Sequence, residues 1–432
     1  MNDLSNNLLD FIKKSPSAFH AVEEIKKILI KEGFIPLNEG KPFELIKGKN
    51  YFVTRNQSSI IAFKVGSRLE DYSFSICASH SDCPSFKVKP KSELEGKGYT
   101  RIDVEPYGGM IASSWFDRPL SLAGRVIINL DTGIDTRLIN FPYNLLSIPN
   151  VAIHMNREVN SGYKYNFAID MMPTLSQDKI TLKNLIAKEL NVEEEQILTY
   201  DLFLYNRSEG YIWGANEEFI SSPKLDDLQS AYTSLLGFIQ GENEDNINVY
   251  ACFDNEEVGS TTRQGADSSF LEDTLKRISL SLGYNDEEHI ACLNRSFAVS
   301  ADNAHALHPN HPELCDPLNQ VEMNKGIVIK NNAAQSYTTD SYSAAIFMKI
   351  CAKADVPVQF FNNRSDLRGG GTLGNISCSH ASIATIDIGL PQLAMHSCME
   401  SAGNKDNEYM VKAIKEFYST KIKQDTLGKV EM

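Results

Sequence analysis

The sequence predicts an α/β fold interrupted by a separate β-rich insert, and three observations carry that expectation. Apolar runs of strand length alternate with stretches of helical periodicity toward both ends of the 432-residue chain, the pattern of a layered α/β domain. Several of those runs lead directly into His, Asp or Glu. Between about Lys91 and Pro223 the composition shifts to Gly, turn residues and short β-branched runs such as Val126-Ile127-Ile128, with no long amphipathic helix before about Asp178.

In chain order, Phe19, Val22, Ile25, Ile28 and Leu29 recur near helical spacing after Pro16, and Gly33 follows as a stop, so the chain opens with helices. Ile60-Ile61-Ala62-Phe63 and Phe74-Ser75-Ile76-Cys77-Ala78 are strand-like, and the second leads into Ser79-His80-Ser81-Asp82. Beyond the insert, Leu228, Ala231, Tyr232, Leu235 and Ile239 mark one face of a helix that starts near Asp226. The run at 249–253 ends at Asp254 to Glu257, the run at 297–299 closely precedes Asp302, and 383–390 closely precedes His396. In open α/β sheets ligands bind outside the carboxyl ends of the strands, so residues far apart in sequence can converge there.

Composition narrows the partners. A hydrophobic content of 42% provides for a real core, and a formal charge of -14 repels phosphate backbones and anionic lipid. No charge-free run approaches the ~20 residues that span a bilayer, and the first residues lack a basic start followed by an apolar stretch. A soluble, cytoplasmic protein that binds neither nucleic acid nor membrane is expected. Its eight scattered cysteines contain no C-x-x-C pair and read as reduced, mostly buried thiols.

His80, Asp226, Glu257, Asp302 and His396 supply two imidazoles and three carboxylates, a donor set for two divalent ions, zinc or a harder ion such as manganese or cobalt. A ligand shared by both ions has to be a carboxylate. Asp82, two residues from His80, projects to the same side of an extended chain and can orient the imidazole. Glu256 and Glu257 reach one site only where a strand is ending, as Asn255 and Gly259 indicate, and one of them is then free to act as general base. Singly, each residue has a plainer reading. His80-Ser81-Asp82 resembles an ordinary polar pair, Asp226 a helix cap, Asp302 a turn residue and His396 a core histidine.

Six ordered fragments lift that ambiguity: SHSDCPSFKVKP (79–90), SSWFDRPLSLAGRV (113–126), SSPKLDDLQS (221–230), DNEEVGS (254–260), SADNAHALHPN (300–310) and LAMHS (393–397). Together they resemble the M18 metallopeptidases, the aspartyl aminopeptidase family, nearly end to end. The resemblance implies a zinc-exopeptidase-like catalytic domain, 1–90 with 224–432, its mixed sheet flanked by helices. It also implies a β-rich, barrel-like oligomerisation domain inserted at 91–223. It implies metal ligation by His80, Asp226, Glu257, Asp302 and His396, with Asp226 bridging, Glu256 as base and Asp82 supporting His80. His154, in VAIHMNRE, matches a histidine that reaches a neighbouring subunit's site, toward metal or substrate. A dimer is then the building block, and twelve subunits the usual assembly.

The substrates implied are peptides that lose their first residue, Asp or Glu by preference, with neutral residues such as Leu as the alternative. Lys330, in GIVIKNN, matches a position near the substrate side chain, and Arg364, Arg368, Gly370 and Gly371, in NNRSDLRGGGTLG, are further candidates for binding it. The family usually has Pro where Arg368 stands, Ser at Gly371 and Arg at Met399, so the side-chain pocket is where this chain departs. Two other readings compete: an inactive oligomeric scaffold, which predicts a lost base or ligand, and a deacylase or carboxypeptidase, which needs a group that recognises a substrate carboxylate.

Overall fold

The computed structural model describes residues 2–367, 369–374, 380–424 and 428–432. Its backbone is organised by a nine-stranded mixed sheet in the order Ile35–Pro36, Asn50–Arg55, Ser59–Val65, Ile247–Phe253, Phe74–His80, Phe297–Ala301, Ala384–Gly389, Ile327–Asn331 and Val358–Asn362. Within it, four neighbouring strands run parallel: Ile247–Phe253, Phe74–His80, Phe297–Ala301 and Ala384–Gly389. Their carboxyl ends therefore emerge along one edge.

These strands are continuous apolar runs because both faces of the sheet are covered. Phe74, Ile76 and Ala78 pack on one side with Phe270, Leu275 and Ile278 of the helix Phe270–Ser281. Cys77, projecting the other way, joins a core with Leu228 and Leu235 of Leu225–Gln240 and with Met410 and Phe417 of Asp406–Ser419. The amino-terminal helices Asn2–Lys14 and Ala18–Lys31 contribute Leu8, Phe11, Val22 and Ile25 to that same core. Among the described residues no helix is long and apolar enough to cross a membrane.

A second, six-stranded sheet is antiparallel throughout, in the order Gly133–Asn140, Leu120–Leu130, Ile197–Asn206, Ser85–Gly96, Tyr99–Tyr107 and Thr174–Ser176. It has its own core, built from residues such as Phe86, Ile102, Trp115, Leu122 and Leu202. Among the described residues its two edge strands do not pair directly, but the stretch at 146–147 bridges Leu146 to Leu120 on one side and Ser147 to Thr174 on the other, so the sheet curls in a barrel-like way without closing strand to strand. Its strands begin at Ser85 and end at Asn206. Tyr211–Trp213 and Phe219–Ser222 belong instead to a five-stranded sheet that continues through Glu400–Gly403, Pro391–Leu393 and Ala304–His305.

Two helices that fix the site meet at a glycine. A Cβ at Gly237, in Leu225–Gln240, would lie 2.7 Å from the Ile414 Cβ of Asp406–Ser419. Gly237→Val is therefore expected to destabilise the fold by about 1–3 kcal/mol through overpacking, read as a lower urea midpoint. An unchanged midpoint would show that the two helices separate freely.

Candidate metal centre

His80 is the last residue of Phe74–His80, fully buried, and Asp302 follows Phe297–Ala301 directly. Asp226 sits at the start of Leu225–Gln240, where Asp226 and Asp227 depart from helical dihedrals and are joined by a cis peptide bond. Beyond Ile247–Phe253 the chain turns through Asn255 at φ 64° into the short 3-10 turn Glu256–Val258, which Gly259 ends at φ 95°. Asn and Gly tolerate that left-handed backbone, which is why a strand carrying adjacent glutamates can stop abruptly and aim both at one place. His396 lies three residues past Pro391–Leu393, also at positive φ.

The side chains form three overlapping clusters, two of which meet at Asp226. His80 Nε2 lies 3.4 Å from Asp226 Oδ1 and 3.9 Å from Asp302 Oδ1. His396 Nε2 lies 3.6 Å from Asp226 Oδ2 and 3.4 Å from Glu257 Oε2. Asp226 thus offers one oxygen to each of those two. His80, Glu256 and Glu257 also approach within metal-binding range of one another. Both imidazoles are oriented alike: His80 Nδ1 contacts the Asp82 carbonyl at 3.0 Å and His396 Nδ1 the Gly109 carbonyl at 2.6 Å. With Nδ1–H donated to a carbonyl, each ring turns Nε2 toward the carboxylates.

Supporting contacts come from residues that sequence reasoning passed over or used differently. The Asp82 carboxylate, 3.4 Å from His80 Nδ1, accepts the backbone N–H groups of Glu256 and Glu257 at 3.1 and 3.2 Å. Its backbone carbonyl makes the closer contact to His80, so Asp82 serves the histidine and the glutamate turn together. Glu400 accepts the N–H of Asp226 at 3.0 Å and that of His396 at 2.7 Å, tying the shared carboxylate to the second imidazole. Nothing local in the sequence marks Glu400. Asp227, beside Asp226 in SSPKLDDLQS, accepts the His80 N–H at 3.2 Å.

The electrostatics are those of a donor set short of positive charge. Burial works against a charged His80, yet Asp227, Asp226, Asp302 and Asp82 together raise its pKa well above the usual histidine range. Glu256 is pushed up to about 8, first by burial and then by Asp302, Asp82 and Asp226. Glu257 is raised by burial and by Asp226. One oxygen each of Asp226, Asp227 and Glu257 is buried with no hydrogen-bond partner. Unpaired buried carboxylate oxygens are costly, and imidazoles with carboxylates are ligands of zinc and similar ions. The residues therefore fit divalent cations.

The clusters open into a cavity of about 200 Å³, also lined by His305, Lys330, Tyr337, Phe361, Gly370 and Gly371. Lys330 is buried, with Nζ 3.3 Å from Asp302 Oδ2 and 5.6 Å from the centre of the Tyr337 ring. A Cβ at Gly370 would meet nothing within 4 Å, and one at Gly371 only the Ser336 carbonyl at 3.8 Å, so these glycines leave the space open. The structure does not bring Arg364 into the cavity lining: its guanidinium is satisfied at the surface by Asp366 at 2.7 Å and by the Glu313 carbonyl. His154 is exposed and takes no part in these clusters, and Arg368 lies outside the described residues.

Residues 11–418 match the family described as Aminopeptidase I zinc metalloprotease (M18). The chain is 47% identical over 425 residues to a probable M18 family aminopeptidase 2 of Clostridium novyi, covering 96% of this chain and 98% of that one. A probable M18 family aminopeptidase 2 of Clostridium acetobutylicum is 46% identical over 427 residues, 96% of this chain and 99% of the relative. Among solved structures, a cryo-EM structure of the Ape4 and Nbr1 complex superposes with a TM-score of 0.94 at 36% identity, covering 97% of this chain and 86% of that one. The mApe1 dodecamer of S. cerevisiae gives 0.85 at 27% identity, with 96% of each chain covered.

Surplus buried negative charge has a pH signature. In the metal-stripped protein, Glu256 at about 8 and the raised Glu257 and His80 hold protons that the unfolded chain releases at lower pH. Their contribution to stability is present in acid and is lost as pH rises, so the melting temperature of stripped protein should fall between about pH 5 and pH 8. Restoring the metal should raise the melting temperature and flatten that fall, since bound cations replace the protons. A stripped protein whose melting temperature is level across the range would contradict this electrostatic account.

Proposed function

The chain belongs to the M18 metallopeptidase family and is an aminopeptidase, and from that premise we propose that it removes N-terminal Asp or Glu from peptides at a two-metal centre. The observation that carries this reading is the position of Asp226, whose two oxygens face the His80–Asp302 pair and the His396–Glu257 pair separately. His80, Asp226 and Asp302 would hold one ion and Asp226, Glu257 and His396 the other. Two such ions, zinc or alternatively manganese or cobalt, supply polarisation of the scissile carbonyl and activation of water at neutral pH.

The chain's own groups do the rest. Glu256, beside both clusters on a turn that Asp82 fixes by its grip on two backbone N–H groups, accepts the proton of the attacking water and returns it to the leaving amine. Lys330 places a cation against the cavity where the first side chain of the substrate lies, and Gly370 and Gly371 leave that space unobstructed. A preference for neutral residues is the second reading, favoured by one observation: Lys330 already faces Asp302, which reduces the charge available to an acidic substrate. All five ligand candidates and Glu256 are present, so the scaffold reading lacks the lost group it requires.

Hydrolysis of Asp-, Glu- and Leu-headed chromogenic peptides, before and after chelation and with metal restored, tests the proposal. Cleavage that depends on metal and favours Asp or Glu is expected, and Glu256→Gln should retain metal while losing about 10²- to 10⁴-fold in turnover. Leu-selective cleavage would transfer the assignment to the second reading, and full turnover by Glu256→Gln would remove it from the mechanism.

We also propose that the protein works as a homo-oligomer in the cytoplasm. The yeast neighbour is described as a dodecamer. Around His154, the side chains of Val151, Ile153 and Met155 are 52%, 47% and 77% exposed, an apolar stretch suited to a second copy through which His154 would reach a neighbouring site. The seven described cysteines are all free thiols, as a reducing compartment would leave them. Light scattering on the eluting protein should give a mass of several subunits that falls on Met155→Asp; a wild-type monomer would remove this proposal.

A further inference from the structure

Besides the stretch that leads from Asp82 into the strand Ser85–Gly96, the six-stranded sheet meets the metal centre through the short segment 107–111, at the end of Tyr99–Tyr107. Three of its residues touch the centre by different means. The Tyr107 hydroxyl donates to Asp82 Oδ2 at 2.7 Å and accepts from Asn255 Nδ2 at 2.8 Å. The Gly109 carbonyl accepts from His396 Nδ1 at 2.6 Å, and the Ile111 N–H donates to the His396 carbonyl at 3.0 Å. Between them, Gly108 has φ 75°, and a Cβ there would sit 3.1 Å from the Glu257 Cβ and 3.3 Å from its carbonyl oxygen.

We propose that this segment is a brace by which the six-stranded sheet sets the catalytic geometry, with Tyr107 a positioning residue that acts on Glu256 through Asp82 and Asn255. The inference rests on the two-metal reading with Glu256 as base. The route is short and fully hydrogen-bonded. Asp82 holds the N–H groups of Glu256 and Glu257, and Asn255, whose left-handed backbone starts the glutamate turn, is pinned from the other side by Thr262 and Gln264 at 2.8 and 2.7 Å. The hydroxyl is the link that fixes the orientation of the Asp82 carboxylate and of the Asn255 amide together. Released, Asp82 can rotate, and the glutamate turn loses the register that aims Glu256 at the substrate. Tyr107 also lines a second cavity of about 180 Å³, together with Asp82 and Asn255.

The brace explains why the residue after Tyr107 at this strand exit is a glycine. Gly108 must be small because Glu257 packs on it and must tolerate positive φ. The backbone can then pass close enough for Gly109 to reach His396. One segment therefore contacts a ligand of the second cluster, its neighbouring ligand Glu257, and the carboxylate that holds the general base.

The test is Tyr107→Phe, alone and combined with Glu256→Gln, with metal content measured on every purified full-length protein. Tyr107→Phe should bind its full complement of metal and keep KM near the wild-type value while kcat falls about ten- to a hundredfold, the scale of a misplaced catalytic group. In the Glu256→Gln background the same substitution should cost nothing further, because its effect passes through the base. Gly108→Ala, pressing on Glu257 from the same segment, should lose metal to a chelator faster than wild type. Wild-type kcat in Tyr107→Phe, or an equal loss in both backgrounds, would overturn the positioning role, and wild-type metal retention in Gly108→Ala would overturn the brace at Glu257. A failure of the underlying mechanism is distinguishable, since it appears as full turnover by Glu256→Gln itself.

Discussion

The Asp226 carboxylate is the constraint to which the rest of the site conforms. It lies where the helix Leu225–Gln240 begins under the carboxyl ends of the parallel strands, with one oxygen toward His80 and the other toward His396. To sit there it must be buried among Asp227, Asp302, Glu256 and Glu257, an arrangement that favours protonation of several neighbours in the absence of cations. Buried like charges cannot all be ionised without compensation. The same repulsion that makes this cluster a poor structural element makes it a cluster that could hold divalent ions. Glu400, which accepts from the N–H of Asp226 and that of His396, shows how the fold holds those two residues by backbone donors, while the Lys330 cation lies against Asp302.

Three sheets share the work around that carboxylate, the five-stranded one carrying His396 just beyond Pro391–Leu393 and Glu400 on Glu400–Gly403. The nine-stranded sheet, covered on both faces, delivers His80, the glutamate turn and Asp302 from strand ends whose spacing is fixed by parallel pairing. The six-stranded sheet, with its own core, approaches through 107–111 and completes the orientation of His396 and Asp82. The separation has a physical logic. Strands buried on both sides provide rigid placement, while a sheet leaning in from outside reaches backbone and side chains that no strand of the first sheet presents.

Much of this was legible from the residues. Continuous apolar runs ending on His, Asp or Glu mark parallel strands whose ends form a site, and Phe74–His80, Ile247–Phe253 and Phe297–Ala301 are those strands. The shift in composition after residue 90 reflects a change from buried parallel to half-exposed antiparallel strands, with a core of its own. Strand limits at 85 and 206, and the pairing of Phe219–Ser222 with Glu400–Gly403, were not legible, because pairing partners some 180 residues apart leave no local trace. Asp82 shows the same limit on a smaller scale. Its spacing from His80 announced an oriented imidazole, but its grip on the glutamate turn depends on a strand 174 residues away.

The sequence by itself determined the fold class, the side-chain types that gather at the site, and the sharp stop at Asn255 that lets neighbouring glutamates share it, because these follow from hydrophobic period, side-chain chemistry and local backbone tolerance. Only the tertiary structure decided that Glu400 and Tyr107 hold the centre from outside the family-like motifs, that Lys330 faces Asp302, and that Arg364 spends its charge on Asp366 at the surface. Each of those depends on distances between segments remote in the chain. Such distances are set by how the sheets and helices pack, which composition and periodicity do not encode.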